Sequence, residues 1–167
     1  TLIVVDESGN ADSCSAIITI EDHIPPIIEC KDIELYLDEN GSTGFVLDEV
    51  VTRLEDNCGI DTVIISKNEF DCSNVGINEE TIIVYDVNGL QAMCVFNVMV
   101  IDTVKPQLSC NNFAVVLDES EYFKLELEMV SGNYWDNCGV DTIILSKTNF
   151  NCEDVGVTPV AITIVDI

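Results

Sequence analysis

An internal repeat is the feature that most constrains how this chain can fold. Residues 22–87 match residues 102–167 at 23 of 66 positions without a gap, which a biased composition cannot produce by coincidence. A period of this length indicates one compact unit that recurs along the chain. The same offset of 80 relates the eight cysteines in pairs: Cys14 and Cys94, Cys30 and Cys110, Cys58 and Cys138, Cys72 and Cys152.

Two short proline-containing segments, residues 21–26 and 102–106, mark the joints between repeats. Prolines favour extended, stiff backbone, so we expect rigid joints and not flexible linkers. This phasing predicts the last strands of a preceding repeat at residues 1–21, a complete repeat at 22–101, and a repeat lacking its last strand at 102–167. Because the chain starts and stops inside apolar runs, we expect it to be a segment of a longer polypeptide.

Within a repeat, the local patterns are those of β-strands separated by turns. Short runs rich in Val, Ile and Thr recur about every ten residues, which is typical of a small β-sandwich. The sequence therefore predicts an all-β fold built from tandem sandwiches that meet end to end. In the complete repeat we predict strands at residues 33–37, 45–47, 62–66, 81–85 and 94–100, a hairpin turn at 86–89, and a helical turn at 47–51.

The composition excludes several classes of function. A formal net charge of −25 repels nucleic acids and anionic membrane surfaces, and no apolar run is long enough to span a bilayer. The single histidine, His23, has no copy at position 103, and no catalytic triad or phosphate-binding loop is present. We therefore predict that the chain is not an enzyme. A pair of carboxylates can hydrolyse glycosides, but among 31 acidic residues such pairs arise by crowding and do not indicate an active site.

The four cysteines of the complete repeat favour disulfides over zinc, because they form no CxxC-like pair. Four cysteines allow three connectivities. We prefer Cys30–Cys94, which would tie the opening strand to the closing strand. We also predict a second bond that closes a local loop in each repeat: Cys58–Cys72 in the complete repeat and Cys138–Cys152 in the other.

This pairing leaves Cys14 and Cys110 without partners, and we expect those partners beyond the two ends of the chain. A bond across the first joint, Cys14–Cys30, is the rival hypothesis. The stiff prolines of the joint disfavour it.

The residues conserved between the copies resemble a known family. They include Asp22, Pro26, Cys30, the Asp-Asn-Cys-Gly of residues 56–59, and the hairpin turn at 86–89. This pattern resembles the hyalin repeat (HYR), an extracellular immunoglobulin-like module. The acidic character and the Asp-Thr-Val-x-Pro joint resemble the bacterial branch, whose arrays form giant surface adhesins exported by type IX secretion, including SprB-like gliding-motility adhesins.

The resemblance implies an immunoglobulin-like sandwich in a structural stalk that holds a distal binding element away from the cell. Its expected partners are neighbouring repeats and, in the cell, surface polysaccharide or other cells. It also implies O-glycosylation where Asp-Thr precedes an apolar residue, at Thr62, Thr103 and Thr142. Two alternatives remain open: a module that binds a ligand or glycan directly, and an accessory domain of a secreted enzyme. Tyr134 and Trp135 are adjacent aromatic residues without aromatic counterparts in the other copy, and we interpret them as local core or loop packing and not as a sugar-binding platform.

The acidic residues at the joints predict calcium binding. In such a sandwich, the joint and the loops between alternate strands gather at one pole, where carboxylates without basic partners would repel one another. A hard cation with six to eight oxygen ligands would offset that repulsion. The alternative is that these residues only cap turns. The predicted ligands are Asp22, Asp56, Asn57, Asp86 and Asn88, with Asp102, Asp136, Asn137 and Asp166 at the next joint.

Overall fold

The computed structural model describes residues 1–117, 119 and 121–166. Its regular structure is almost entirely β, which confirms the all-β prediction. The chain begins with a hairpin of β1 (Leu2–Val5) and β2 (Ala11–Cys14). The complete repeat then contains β3 (Ile27–Cys30), β4 (Ile33–Tyr36), β5 (Ser42–Gly44), α1 (Leu47–Val50), β6 (Val51–Glu55), β7 (Ile60–Ile65), β8 (Glu69–Asp71), a 3-10 turn (Cys72–Asn74), β9 (Gly76–Asp86) and β10 (Gln91–Ile101).

The described residues of the second repeat reproduce these elements at the same sequence offset, except for β4 and β10. Its strands pair as their counterparts do, so the sequence period is also a structural period. The elements are β11 (Gln107–Cys110), β12 (Tyr122–Lys124), α2 (Leu127–Val130), β13 (Ser131–Trp135), β14 (Val140–Leu145), β15 (Asn149–Asn151), a 3-10 turn (Cys152–Asp154) and β16 (Ile162–Asp166).

The largest sheet belongs to the complete repeat and has the strand order β4-β10-β9-β7. Strand β4 runs parallel to β10, and the other neighbours are antiparallel. Two smaller antiparallel pairs, β3-β6 and β5-β8, complete the repeat. The long hairpin of β9 and β10 turns at residues 86–89 as predicted, with Gly89 in the left-handed region at φ 87°.

The hydrophobic core follows the period-two pattern of the long strands. Alternate residues of β9 and β10, including Ile82, Val84, Phe96 and Val98, are almost completely buried. They pack in one cluster with Phe70 of β8, Phe45, Val50 and Leu37. Successive side chains of a strand point to opposite faces, so one face of the sheet builds the core and the other meets solvent.

One predicted strand is wrong, because residues 45–47 do not form a strand. Phe45 is buried, and its amide donates to the carbonyl of Asn68 at 3.1 Å. The chain then enters α1, whose start is capped by Glu49: the carboxylate accepts a hydrogen bond from the amide of Val46 at 2.9 Å. The predicted helical turn at residues 47–51 is therefore present, and the strand beside it is the preceding β5.

The second repeat has an open apolar groove where the complete repeat has β10. Phe113 and Val115 are the counterparts of Ile33 and Leu35, which pair with β10 in the complete repeat. Together with Phe123 and Phe150 they line a cavity of about 960 Å³. None of the helices in the described part of the chain approaches the length that crossing a membrane requires.

Candidate metal centres at the repeat joints

Three carboxylates from separate segments meet at the start of the complete repeat. Asp22 lies in the joint, Asp56 follows β6, and Asp86 ends β9. One carboxylate oxygen of each lies within 4.8 Å of the others. We call this set the first trio.

A second trio occurs one period later, formed by Asp102, Asp136 and Asp166 with the same spacing limit of 4.8 Å. Asp102 lies in the second joint and Asp166 ends β16. The structure thus brings together all six of the predicted carboxylates. That they bind calcium remains a prediction.

The turns of the first trio use one oxygen of Asp56 and of Asp86 and leave the other oxygen of each without a partner. Oδ1 of Asp56 accepts hydrogen bonds from the amides of Cys58 and Gly59, at 2.8 and 2.7 Å. Oδ1 of Asp86 accepts from the amides of Asn88 and Leu90, both at 2.8 Å. Both Oδ2 atoms are buried and have no hydrogen-bond partner among the described residues. The turn-capping hypothesis therefore accounts for one oxygen of Asp56 and of Asp86 and leaves the other oxygen of each unexplained.

The second trio repeats this arrangement. Oδ1 of Asp136 accepts from the amide of Cys138 at 2.9 Å, and Oδ1 of Asp102 accepts from the amide of Val104 at 3.0 Å. Within the described residues, the buried Oδ2 atoms of both carboxylates have no hydrogen-bond partner. The buried Oδ1 of Asn137 is also without one.

The predicted asparagine ligands orient a carboxylate in the structure. Nδ2 of Asn57 donates to Oδ1 of Asp22 at 3.2 Å, and Nδ2 of Asn88 donates to Oδ2 at 3.0 Å. With the amide of Ile24 as the strongest donor, these bonds hold the pKa of Asp22 below its usual value. At the second joint, Nδ2 of Asn137 donates to Oδ1 of Asp102 at 3.2 Å. The donating nitrogens position Asp22 and Asp102, and calcium binding through the oxygens of these asparagines stays a prediction.

Basic side chains do not neutralise the first trio. The ion pairs of the described residues lie elsewhere: Arg53 with Glu29 and Glu55, Lys124 with Glu126, Lys147 with Asp154, and His23 with Glu21. Two unit charges about 5 Å apart repel by roughly 3 kcal/mol at an effective dielectric constant of about 20. Three carboxylates held this close therefore form a strongly unfavourable cluster unless a cation or protons offset their charge.

The second trio adjoins a disulfide that sequence reasoning did not predict. Cys30–Cys94 forms as predicted, with a Cα–Cα distance of 6.0 Å. The predicted Cys58–Cys72 and Cys138–Cys152 bonds are wrong. Cys72 pairs instead with Cys138 of the next repeat, with a Cα–Cα distance of 5.3 Å. The rival Cys14–Cys30 bond is also absent, because Cys30 is already paired.

Strand geometry explains why the local disulfide does not form. Cys58 lies beside the first joint, in the loop that contains Asp56. The six residues of β7 then carry the chain about 20 Å along the repeat, at about 3.3 Å per residue, before β8 and Cys72. This extended strand separates the two cysteines of the predicted local loop.

The far end of the complete repeat contacts the next repeat directly. Sγ of Cys72 lies 3.7 Å from the carbonyl oxygen of Gly41 and 3.5 Å from that of Asn137. Nδ2 of Asn137 also donates to the carbonyl of Asp38 at 3.1 Å. Because the same amide holds Asp102, the disulfide, the β4–β5 turn and the second trio form one assembly. Sequence reasoning missed Asp38 and Gly41, whose only signal was an Asn-Gly turn.

Gly41 provides a test of this joint. A Cβ atom at Gly41 would lie 2.6 Å from Sγ of Cys72 and 2.9 Å from the carbonyl oxygen of Asn137. We expect Gly41→Ala to force the joint apart at a cost of about 1–3 kcal/mol, the usual range for overpacking. Dithiothreitol should then reduce Cys72–Cys138 more readily, by about tenfold in the exchange equilibrium, as measured by peptide mapping.

Gly89→Ala is the matched control for this substitution. Gly89 has a similar positive φ of 87°, compared with 71° at Gly41, but a Cβ atom there meets nothing within 4 Å. It therefore imposes the same kind of backbone strain away from the second joint, where the Cys72–Cys138 disulfide lies. Equal ease of reduction in the two variants would show that Gly41 does not hold the joint closed.

The remaining cysteines are unpaired thiols in the described part of the chain: Cys14, Cys58, Cys110 and Cys152. All are exposed. The pKa of Cys58 is raised, first because its thiol hydrogen-bonds to the Asp22 carboxylate and then through burial and the charge of the trio. A raised pKa lowers the thiolate fraction, so Cys58 is not an activated nucleophile.

The other predicted positions lie on the surface. Thr62, Thr103 and Thr142 are all exposed, and the hydroxyls of Thr62 and Thr142 donate to the preceding aspartate at 2.9 Å. Glycosylation at these positions stays a prediction. Tyr134 and Trp135 are each about half exposed on β13, at 49% and 45%. Each ring is therefore partly packed and partly open to solvent, and the interpretation as local packing stays a prediction.

The chain matched no protein-family model, no curated protein and no solved structure in the three comparisons.

Proposed function

We propose that this chain is a load-bearing segment of a tandem-repeat stalk in an extracellular surface adhesin. The stalk holds a distal binding element away from the cell, and neighbouring repeats are its immediate partners. The observation that carries the proposal is the Cys72–Cys138 disulfide, which links two consecutive repeats covalently. A spacer that bears tension needs strength at its joints, and this bond lies at one.

Three further observations support this function. Two disulfides indicate a non-cytoplasmic environment, because the reducing cytoplasm keeps cysteines as free thiols. A net charge of −25 favours a soluble filament that does not collapse on itself. The resemblance to the hyalin repeat supports immunoglobulin-like sandwiches arranged end to end on a cell-surface filament. It is also the ground for proposing type IX export, a role in gliding motility and contact with surface polysaccharide or other cells.

The two disulfides interlock along the chain and shorten the path that carries force. Cys30–Cys94 and Cys72–Cys138 span overlapping segments, with sequence separations of 64 and 66. If both ends are pulled, tension passes through residues 1–30, crosses to Cys94, returns along residues 72–94, and crosses again to residues 138–167. The segments 31–71 and 95–137 stay outside the shortest covalent path.

The sequence repeat indicates that the same shortened covalent path would run through a longer array. By the offset of 80, Cys58 is the counterpart of Cys138, and Cys152 is the counterpart of Cys72. If each joint closes in the same way, Cys58 pairs with the preceding repeat and Cys152 with the following one. The covalent path then needs only residues 58–72 of each repeat, which span about 50 Å at about 3.4 Å per residue. Even an unfolded repeat would lengthen the stalk very little.

The test is single-molecule stretching of the oxidised chain from its two ends. Replacing Cys72 and Cys138 together by serine sends the force along residues 94–138 instead of 72–94. We expect the fully stretched variant to be longer than wild type by roughly 75 Å, since about 22 more residues bear load. Small-angle scattering of the variant should also show a wider range of angles between repeats.

The double variant Cys58→Ser, Cys152→Ser is the matched control, because it removes the two counterpart cysteines, which are unpaired in this chain. It should stretch and scatter like wild type. Equal stretched lengths for wild type and for the Cys72 and Cys138 variant would contradict a load-bearing joint.

A further inference from the structure

We propose that each trio of aspartates binds one calcium ion, so that the chain carries two calcium sites at its joints. The first trio is Asp22, Asp56 and Asp86, and the second is Asp102, Asp136 and Asp166. This inference is independent of the stalk function, because the sites would exist in any protein that contains these repeats.

Acidic clusters are common on protein surfaces, so clustering alone does not identify a site. The decisive observation is burial without a hydrogen-bond partner. Asp86 is 2% exposed and Asp136 is 8% exposed, yet Oδ2 of each lacks a partner among the described residues. A buried carboxylate oxygen without a donor is costly, and native structures nearly always satisfy such an atom with protein, water or an ion.

The local backbone fixes the direction of these oxygens. In both trios the turn amides occupy Oδ1 of the loop aspartate, and the spare Oδ2 remains for another ligand. At Asp22, the amides of Ile24, Asn57 and Asn88 fix the carboxylate from outside the trio. Hydrogen bonds to the carboxylates thus fix the geometry of each site before an ion binds, as in preorganised metal sites.

The chemistry of the donors selects the ion. The trios contain only carboxylate oxygens, which suit hard cations and not zinc or copper. The three aspartates come from separate segments, and water or carbonyl oxygens would have to complete the shell of an ion that they bind. Calcium accepts six to eight oxygens in flexible geometry, whereas magnesium demands a near-ideal octahedron. We expect dissociation constants of about 10⁻⁴ to 10⁻³ M, the range of extracellular calcium modules.

An ion at either site would tie a joint to two loops of the following repeat. At the second joint, the amide of Asn137 connects Asp102 with the carbonyl of Asp38 in the preceding repeat. Calcium on Asp102 would therefore fix the same contact that the Cys72–Cys138 disulfide closes. We expect calcium to narrow the range of angles between the repeats.

The experiment uses the oxidised full chain after treatment with chelator. Calorimetric titration with calcium chloride should show two sites, and millimolar calcium should raise the melting temperature. Terbium separates the sites, because Trp135 is the only tryptophan and directly precedes Asp136. Terbium luminescence excited through tryptophan should report the second site, and calcium should quench it by displacement.

Asparagine variants then assign each site. Asp136→Asn should abolish the tryptophan-sensitised terbium signal and leave one calcium site. Asp56→Asn should keep the terbium signal and also leave one calcium site. Asp61→Asn and Asp141→Asn are matched controls, since these exposed aspartates lie slightly further along the chain and outside the trios. Both should bind two ions.

Wild-type protein alone can overturn the proposal, so a variant that fails to fold does not obscure the result. Absence of heat, of a change in melting temperature and of sensitised terbium luminescence at millimolar metal would exclude both sites. Equal loss of binding in Asp61→Asn and Asp56→Asn would reduce the effect to general surface charge. Neither outcome would alter the stretching experiment, which tests the disulfide joint separately.

Discussion

Replacing Cys30 and Cys94 together by serine is expected to lower the free energy of unfolding of the complete repeat by about 4 kcal/mol. The bond closes a loop with a sequence separation of 64, and the chain-entropy model assigns that loop a stabilisation of this size. Both cysteines are also partly buried against the core, where serine hydroxyls fit less well. Denaturant unfolding followed by circular dichroism measures the change.

The double variant Cys14→Ser, Cys110→Ser is the control, because these cysteines occupy the same repeat positions but are exposed and unpaired. Surface substitutions of this kind usually change stability by no more than about 0.5 kcal/mol. If the two double variants lost equal stability, the covalent link would not be the source of the effect.

Replacing Phe96 by alanine is expected to destabilise the complete repeat by about 3–5 kcal/mol, the usual cost of truncating a buried phenylalanine. Phe96 is 2% exposed and meets the ring of Phe45 edge-on, with centroids 5.7 Å apart. It lies on β10, at the centre of the four-stranded sheet. The cavity would therefore open in the middle of the core, and the same unfolding measurement detects it.

Val95→Ala is the control for this truncation. Val95 is the neighbouring residue on the same strand, but it points to the other face and is 51% exposed. We expect a loss below about 1 kcal/mol, because the side chain is half solvated already. A loss at Val95 as large as that at Phe96 would mean that strand propensity, and not core packing, dominates at β10.

The losses of stability expected for the Cys30 and Cys94 double variant and for Phe96→Ala should both be confined to the complete repeat. The second repeat has no counterpart of β10 in the described residues, and its core residue Leu125, the counterpart of Phe45, is buried without it. Two separate unfolding transitions would then be visible, with only one of them shifted by either variant.

Most of the architecture could be predicted from local sequence. The repeat period, the alternation along β9 and β10, and the hairpin turn at 86–89 can all be read from short stretches of sequence, where propensity and amphipathic pattern are decisive. The strand predicted at residues 45–47 failed because Glu49 caps a helical turn there. Side-chain caps compete with strand pairing, and alternation of apolar residues does not reveal them.

The composition of the candidate metal centres was also predictable, because copies of a residue at a fixed offset share one environment. Asp22, Asp56 and Asp86 come together as expected. The roles of Asn57 and Asn88 were not predictable, since an asparagine offers both a donor and an acceptor. Only the surrounding contacts show that their nitrogens face Asp22.

The sequence alone thus determined the repeat and the β class, and it favoured the Cys30–Cys94 bond and a clustering that includes the six carboxylates of the trios. The tertiary structure alone decided which cysteines meet at the joint. Cys58 and Cys72 are close in sequence, but β7 is a rigid extended strand that carries them to opposite ends of the repeat. Cys138 has a sequence separation of 66 from Cys72, yet the turn of the next repeat brings it within reach. Distance along a chain predicts contact only where the chain is free to bend, and a β-strand removes that freedom.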